Sequence, residues 1–211
     1  MSSIRHHIPE SLLASYASGE LSYAFSMVVA AHVSMCAECR ARLVTHETVG
    51  GVLLDEEHHS TVTSGLRSRV LDMLDTPQPV RPAPRRMGVF PGPVAEALSY
   101  GEPKWRRLGA GVRQTVLKRS DEESVRLLYI PAGQAVPDHG HNGLELTLVL
   151  QGAFSDETGT FGVGDVEVAD DELEHTPVAA EGDACICLAA TDAQLKFNAF
   201  VPRLLQPVLG I

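Results

Sequence analysis

Gly133-Gln-Ala-Val-Pro-Asp-His139-Gly-His141-Asn-Gly-Leu-Glu145-Leu-Thr-Leu-Val-Leu-Gln-Gly152 is the stretch from which the fold of this chain is read. His139 and His141 are two residues apart, so on an extended strand both side chains leave from one face. Glu145 lies an even number of residues further on, compatible with the same face. Leu146, Leu148 and Leu150 then alternate with Thr147 and Val149. A strand that is largely apolar on both faces fits a wall covered on both sides, and here the inward face would carry two imidazoles and a carboxylate.

Working outward, Arg126–Ile130, Asp165–Ala169 and Ala184–Ala189 are further short runs of β-branched and apolar residues, separated by Gly- and Pro-containing turns. This predicts an antiparallel sandwich or barrel. Cys185 and Cys187 fall on one face of a strand, separated by roughly 6.5–7 Å of strand rise. That spacing favours two small buried residues over a direct disulfide. Asp170–Glu174 is expected as a solvated acidic loop, because it lacks the glycine spacing of a calcium loop.

Toward the N-terminus the pattern changes at residues 77–93, which hold six prolines. Proline fixes φ and disfavours helix in the residue before it, so this is expected to be a semi-rigid linker. Before it, residues 9–75 have helical periodicity. Pro9 suits a first turn and Gly19 a stop. A second helix is expected after Ser22, a third from the Cys36/Cys39 pair to about Gly50-Gly51. A fourth, over about Ser64–Asp75, places Leu66, Val70, Met73 and Leu74 on one stripe.

Between the second and third helices runs His32-Val-Ser-Met-Cys36-Ala-Glu-Cys39. His32 and Cys36 are i, i+4 and share a helix face, and the tight C-x2-C turn adds a second thiolate. Three borderline or soft donors converging on one point suit tetrahedral Zn²⁺. A fourth ligand is expected from His6 or His7, between which spacing alone does not choose.

The formal net charge is −10. Residues 1–86 carry eight Lys/Arg and nine Asp/Glu, whereas residues 87–211 carry nine and eighteen. This acidity argues against direct nucleic-acid binding, which needs cations to replace phosphate counterions. No apolar run approaches the roughly 18–20 residues of a membrane span, and the N-terminus lacks a secretory signal pattern. The chain is expected to be cytoplasmic, with no membrane partner.

The stretch 133–152 matches the first motif of the cupins, G-x5-H-x-H-x3-E-x6-G, at each defined position. That resemblance implies a third histidine, His175, from a second motif that is degraded here, with Glu172-Leu-Glu174 in place of Pro-x-Gly. Three histidines and Glu145 suit Zn²⁺, Fe²⁺, Mn²⁺ or Ni²⁺. Residues 5–75, with an N-terminal histidine, Leu12-Leu-Ala-Ser-Tyr-Ala-Ser-Gly-Glu-Leu21 and H-x3-C-x2-C, resemble the zinc-binding anti-sigma domain. The whole chain is similar to the ChrR-type anti-sigma factors. That resemblance implies His7 as the fourth zinc ligand. It also implies a partner, an extracytoplasmic-function sigma factor held as a 1:1 heterodimer against the fourth helix. The implied signal is oxidative stress, singlet oxygen in particular.

The expected architecture is α+β and multidomain. Residues 1–76 form a small helical zinc-binding bundle, 77–93 the linker, and 94–211 an antiparallel cupin barrel. The expected metal ligands are His7, His32, Cys36 and Cys39 for zinc. His139, His141, Glu145 and His175 are expected to hold zinc or another divalent transition metal. No catalytic residue is expected. The alternatives are a metal-dependent cupin enzyme of dioxygenase type with a zinc appendage, and a zinc-dependent scaffold for another protein.

Overall fold

Gly19, at φ +76°, stops the first helix, α1 (Glu10–Ser18), and donates its N–H back to Ser15 and Tyr16. The left-handed region costs glycine nothing because it has no Cβ. The computed structural model describes residues 4–57, 60–74, 83–140 and 142–193 with the short strand 196–197. The helices that follow are α2 (Tyr23–Met35), α3 (Ala37–Glu56), α4 (Leu66–Leu74) and α5 (Gly92–Ala97). The third helix outruns its expected end at Gly50-Gly51 and continues to Glu56. Neither glycine takes the positive φ of a helix stop, and the good helix formers Leu53 and Leu54 follow.

Among the described residues, twelve strands succeed the helices: β1 (Arg106–Gly109), β2 (Val112–Arg119), β3 (Ser124–Ile130), β4 (His139–Gly140), β5 (Glu145–Gln151) and β6 (Ala153–Ser155), then β7 (Thr160–Gly162), β8 (Val166–Ala169), β9 (Glu174–His175), β10 (Val178–Ala179), β11 (Cys185–Thr191) and β12 (Lys196–Phe197). They form one six-stranded sheet in the order β1-β2-β3-β11-β5-β8, and two three-stranded sheets, β10-β6-β7 and β12-β4-β9. Every pairing is antiparallel. The chain is thus a helical N-terminal region followed by an antiparallel β domain.

The large sheet is covered on both faces, as the apolar alternation in β5 required. Leu146, Leu148 and Leu150 join Leu127 and Leu188 in a core completed by the helices, through Leu13, Phe25, Val28 and Val29. The helix α2 lies across β3, β5 and β11. Val149 faces the other way, into a second cluster with Val112, Ile130, Phe154, Phe161 and Cys187. Helices and sheet therefore share one buried core. Of the proline-rich segment, residues 77–82 lie outside the described residues. Its far end joins the core through Phe90 and α5, where Val94 and Ala95 are buried.

Polar contacts join the two parts as well. Ser22 precedes α2, yet its hydroxyl does not cap the helix; it donates to Glu123 Oε2 (2.6 Å), from the β2–β3 turn. The same carboxylate oxygen accepts from the Ala24 N–H at 2.8 Å. Glu123 thus supplies the negative charge that a helix N-terminus favours.

By contrast, α4 buries no residue, and α3 buries only Cys39 and Leu43. Val49, Val52, Leu53 and Leu54 on α3, with Val70, Met73 and Leu74 on α4, stand exposed. Among the described residues, no helix is long and apolar enough to cross a membrane.

Candidate metal centres

The first centre sits where α2 turns into α3. Cys36 leaves the helical region for one residue (φ −103°, ψ 111°), closing α2 and opening α3. Its backbone N–H still donates to His32 O at 2.8 Å, and its sulfur accepts from the Cys39 N–H at 3.4 Å. One extended residue between two helices therefore brings His32, Cys36 and Cys39 to a common point. His7 reaches the same point from the segment before α1, its Nδ1 3.4 Å from Cys36 Sγ and 3.6 Å from Cys39 Sγ. One donor atom from each of the four lies within 4.8 Å of the others, an arrangement that could hold a metal ion.

The donor chemistry fits a cation. The His32 Nδ1–H donates to the Gly164 carbonyl (2.9 Å), since a carbonyl only accepts. That fixes the tautomer and leaves Nε2 as a lone pair. Nε2 is buried with no hydrogen-bond partner, although buried polar atoms are normally paired. Burial pushes the His32 pKa down to about 4, keeping the ring neutral and ready to ligate. Burial pushes Cys39 up to about 11, so without a cation its thiol keeps its proton. A metal ion reverses that preference. His7 is oriented in turn by Glu38, whose Oε2 lies 3.3 Å from His7 Nε2.

His6 points elsewhere. Its ring packs at a tilt of 43° against Phe161 with centroids 4.5 Å apart, and its Nδ1 lies 3.5 Å from Asp165 Oδ2.

The second centre is in the β domain. The pairing of β4 with β9 sets His139 opposite His175, with ring centroids 4.7 Å apart. Glu145 begins β5, and all three are buried and line one cavity of about 550 Å³. His141 lies outside the described residues. The His139 Nδ1–H donates to Pro137 O (2.8 Å). Glu145 accepts from the Thr147 hydroxyl at 2.9 Å.

His175 has partners that the sequence did not disclose. Its Nδ1–H donates to Asp156 Oδ2 at 2.6 Å, with Glu167 Oε1 at 3.3 Å. These three also form a group that could hold a metal ion. Nδ1 faces the carboxylates, so Asp156 and Glu167 orient the His175 ring, as carboxylates do around metal-binding histidines. Burial opposes a charge on His175, but Glu167 and Asp156 prevail and raise it to about 9. Burial lifts Glu167 to about 8. Asp156 is held well below the usual carboxylate range; burial opposes this, and hydrogen bonds from Glu167, His175 and Thr158 prevail.

The two remaining cysteines are closer than strand rise alone gives. Cys185 Sγ and Cys187 Sγ are 3.4 Å apart, beside an irregularity in the β11–β5 register at Ile186/Cys187. Both are fully buried. The Cys185 side chain and burial push the Cys187 thiol well up, so it keeps its proton.

Residues 95–194 match the family described as the ChrR cupin-like domain. Over 212 aligned residues, 99% of each protein, the chain is 55% identical to the anti-sigma-E factor ChrR of Cereibacter sphaeroides. The chain belongs to the ChrR family of anti-sigma factors. A similar solved structure is that of Rhodobacter sphaeroides SigE in complex with the anti-sigma ChrR. It is 53% identical, with a TM-score of 0.81 over 90% of this chain and all of that one. The β domain is therefore a cupin.

Proposed function

We propose that this protein holds an extracytoplasmic-function sigma factor in a 1:1 complex in the cytoplasm and releases it under oxidative stress, singlet oxygen in particular. In this reading, residues 1–76 bind sigma and residues 94–211 sense. The observation that carries it is the exposed apolar face of α3 and α4, in a chain similar over its whole length to an anti-sigma factor. Leu66, Val70, Met73 and Leu74 recur at i, i+4, i+7 and i+8, the spacing by which a helix seats in a partner's groove.

Zinc is the ion that His7, His32, Cys36 and Cys39 suit: two imidazoles and two thiolates, with no position left for substrate. It would fix the α2–α3 corner and so the direction of α3. His139, His141, Glu145 and His175 would hold zinc or another divalent metal in the cupin. Their imidazoles are oxidisable, and a modified ligand loses its metal. Release follows if the change favours free over sigma-bound protein.

The test is co-expression with the candidate sigma factor. His32→Ala and Cys39→Ala should lose zinc, lose sigma in co-purification and switch on a sigma-dependent reporter. His175→Ala should keep inhibition and lose induction by singlet oxygen. Retained zinc and sigma in the first pair would sink the binding reading; full induction in the third would sink the sensor reading.

A further inference from the structure

The turn between β7 and β8 leaves the cupin and enters the first metal centre. Gly164 O accepts from His32 Nδ1–H at 2.9 Å. Asp165 Oδ1 accepts from the backbone N–H groups of Arg5 (2.6 Å) and His6 (2.9 Å). Val166 N–H donates to His6 O at 3.1 Å. The backbone immediately before His7 is thus held by three hydrogen bonds, and His32 by a fourth, all from three consecutive cupin residues. Asp165 is only 5% exposed, and its second oxygen accepts from Gly162 N–H (2.8 Å), which fixes the carboxylate in its own turn. The fit is close. Gly164 has φ +93°, and a Cβ there would lie 2.6 Å from Ile4 Cδ1.

The same strand reaches the other centre. Glu167 follows Asp165 by two residues, roughly 7 Å along a strand, and its Oε1 lies 3.3 Å from His175 Nδ1. Between them, Val166 packs into the core beneath the helices. The segment 164–167 therefore has one end on each centre and a well-packed middle, and rigid elements of this kind carry a displacement from one site to another.

We propose that Gly164 and Asp165 are positioning residues of the zinc knuckle, and that the segment 164–167 is the route by which the state of the cupin site reaches the zinc. The Gly164 carbonyl sets the His32 tautomer and the Asp165 carboxylate presents His7. A shift at His175 moves Glu167, and with it the groups that hold the knuckle's histidines. This rests on the reading that the knuckle binds zinc.

The alternative is that these contacts only glue helices to sheet. Glu123 provides the control, since it also bonds the helical layer across the interface, at Ser22 and Ala24, but remote from the metal ligands. Zinc affinity is measured in the full chain by competition with a chromophoric chelator, with circular dichroism and melting temperature as the fold check. Asp165→Asn, which keeps the volume but removes the charge and one acceptor oxygen, should weaken knuckle zinc about 10–100-fold, as outer-shell changes do. Glu123→Gln should leave it within about threefold. Glu145→Ala, which strips the cupin site, should change the rate of zinc release from the knuckle with Asp at 165 and not with Asn there. Equal losses in Asp165→Asn and Glu123→Gln, no loss in either, or the same Glu145→Ala effect in both backgrounds would each overturn the proposal. His32→Ala is run alongside. If it keeps its zinc, the knuckle reading fails; if it loses zinc while Asp165→Asn keeps full affinity, only the positioning role fails.

Discussion

In the proposed cupin site, a proton and a metal ion compete for one nitrogen of His175. With the pKa raised from 6.5 to about 9, the metal-free ring is charged at neutral pH and must shed a proton to ligate. Metal affinity of the cupin site should therefore rise about tenfold per pH unit from 7 toward 9 and then level. Calorimetry in buffers of different ionisation enthalpy would count the proton released; a flat profile would contradict the ligand role. The stability of the metal-free protein runs the other way. A group whose pKa rises on folding contributes fully below the unfolded value of 6.5, and the contribution is lost as pH climbs through about 9. Asp156→Asn should weaken cupin metal about 10–100-fold while leaving the fold intact. The sequence offered His139 and Glu145 through strand alternation and motif spacing, and His175 only through the resemblance to the cupins; the fold places all three around one cavity. The sequence hid Asp156, whose other oxygen accepts from the Thr158 and Gly159 N–H groups. An Asp in Asp-Glu-Thr-Gly is already accounted for by its turn. Glu167 was hidden too, because a Glu between two valines reads as the wet half of a strand.

Among the elements, α4 separates docking from packing. None of its residues is buried, so Met73→Glu should cost the free protein at most about 0.5 kcal/mol. At a sigma interface the same charge should cost about 2 kcal/mol or more, close to thirtyfold in affinity. Titration of labelled sigma and a melting curve on one sample would show both; equal sigma affinity would place the interface elsewhere. Periodicity located α1, α2, α4 and the strands β3, β5, β8 and β11, and passed over β1 and β2, whose alternation is broken by charged residues. It failed at the end of α3, where two glycines resembled a stop, and it was silent on Glu123. A cap supplied from 101 residues away leaves no mark beside the helix that it caps.

On the scale of the molecule, Phe25, Val28 and Val29 bury themselves with the sheet, each worth about 1.5–3 kcal/mol. A fragment ending at Arg86 should still bind sigma through α3 and α4. It should melt lower, hold zinc less tightly and ignore singlet oxygen. Zinc competition on the fragment and the full chain would check this; equal zinc affinity would mean that the sheet adds nothing to the knuckle. No local pattern could have shown the shared core, because strands and helices each satisfy their own periodicity and only the tertiary fold brings their faces together. The contact between His32 and Gly164 spans 132 positions, and this has a consequence for the protein's manufacture. At about 5–20 residues per second of synthesis, His32 waits roughly 7–26 s for its carbonyl to be made. A nascent chain in that interval has its thiols but lacks the partner that aligns His32. On the proposed reading, a newly made copy holds its zinc only loosely until residue 164 has been synthesised, and its grip tightens seconds after the knuckle itself is complete.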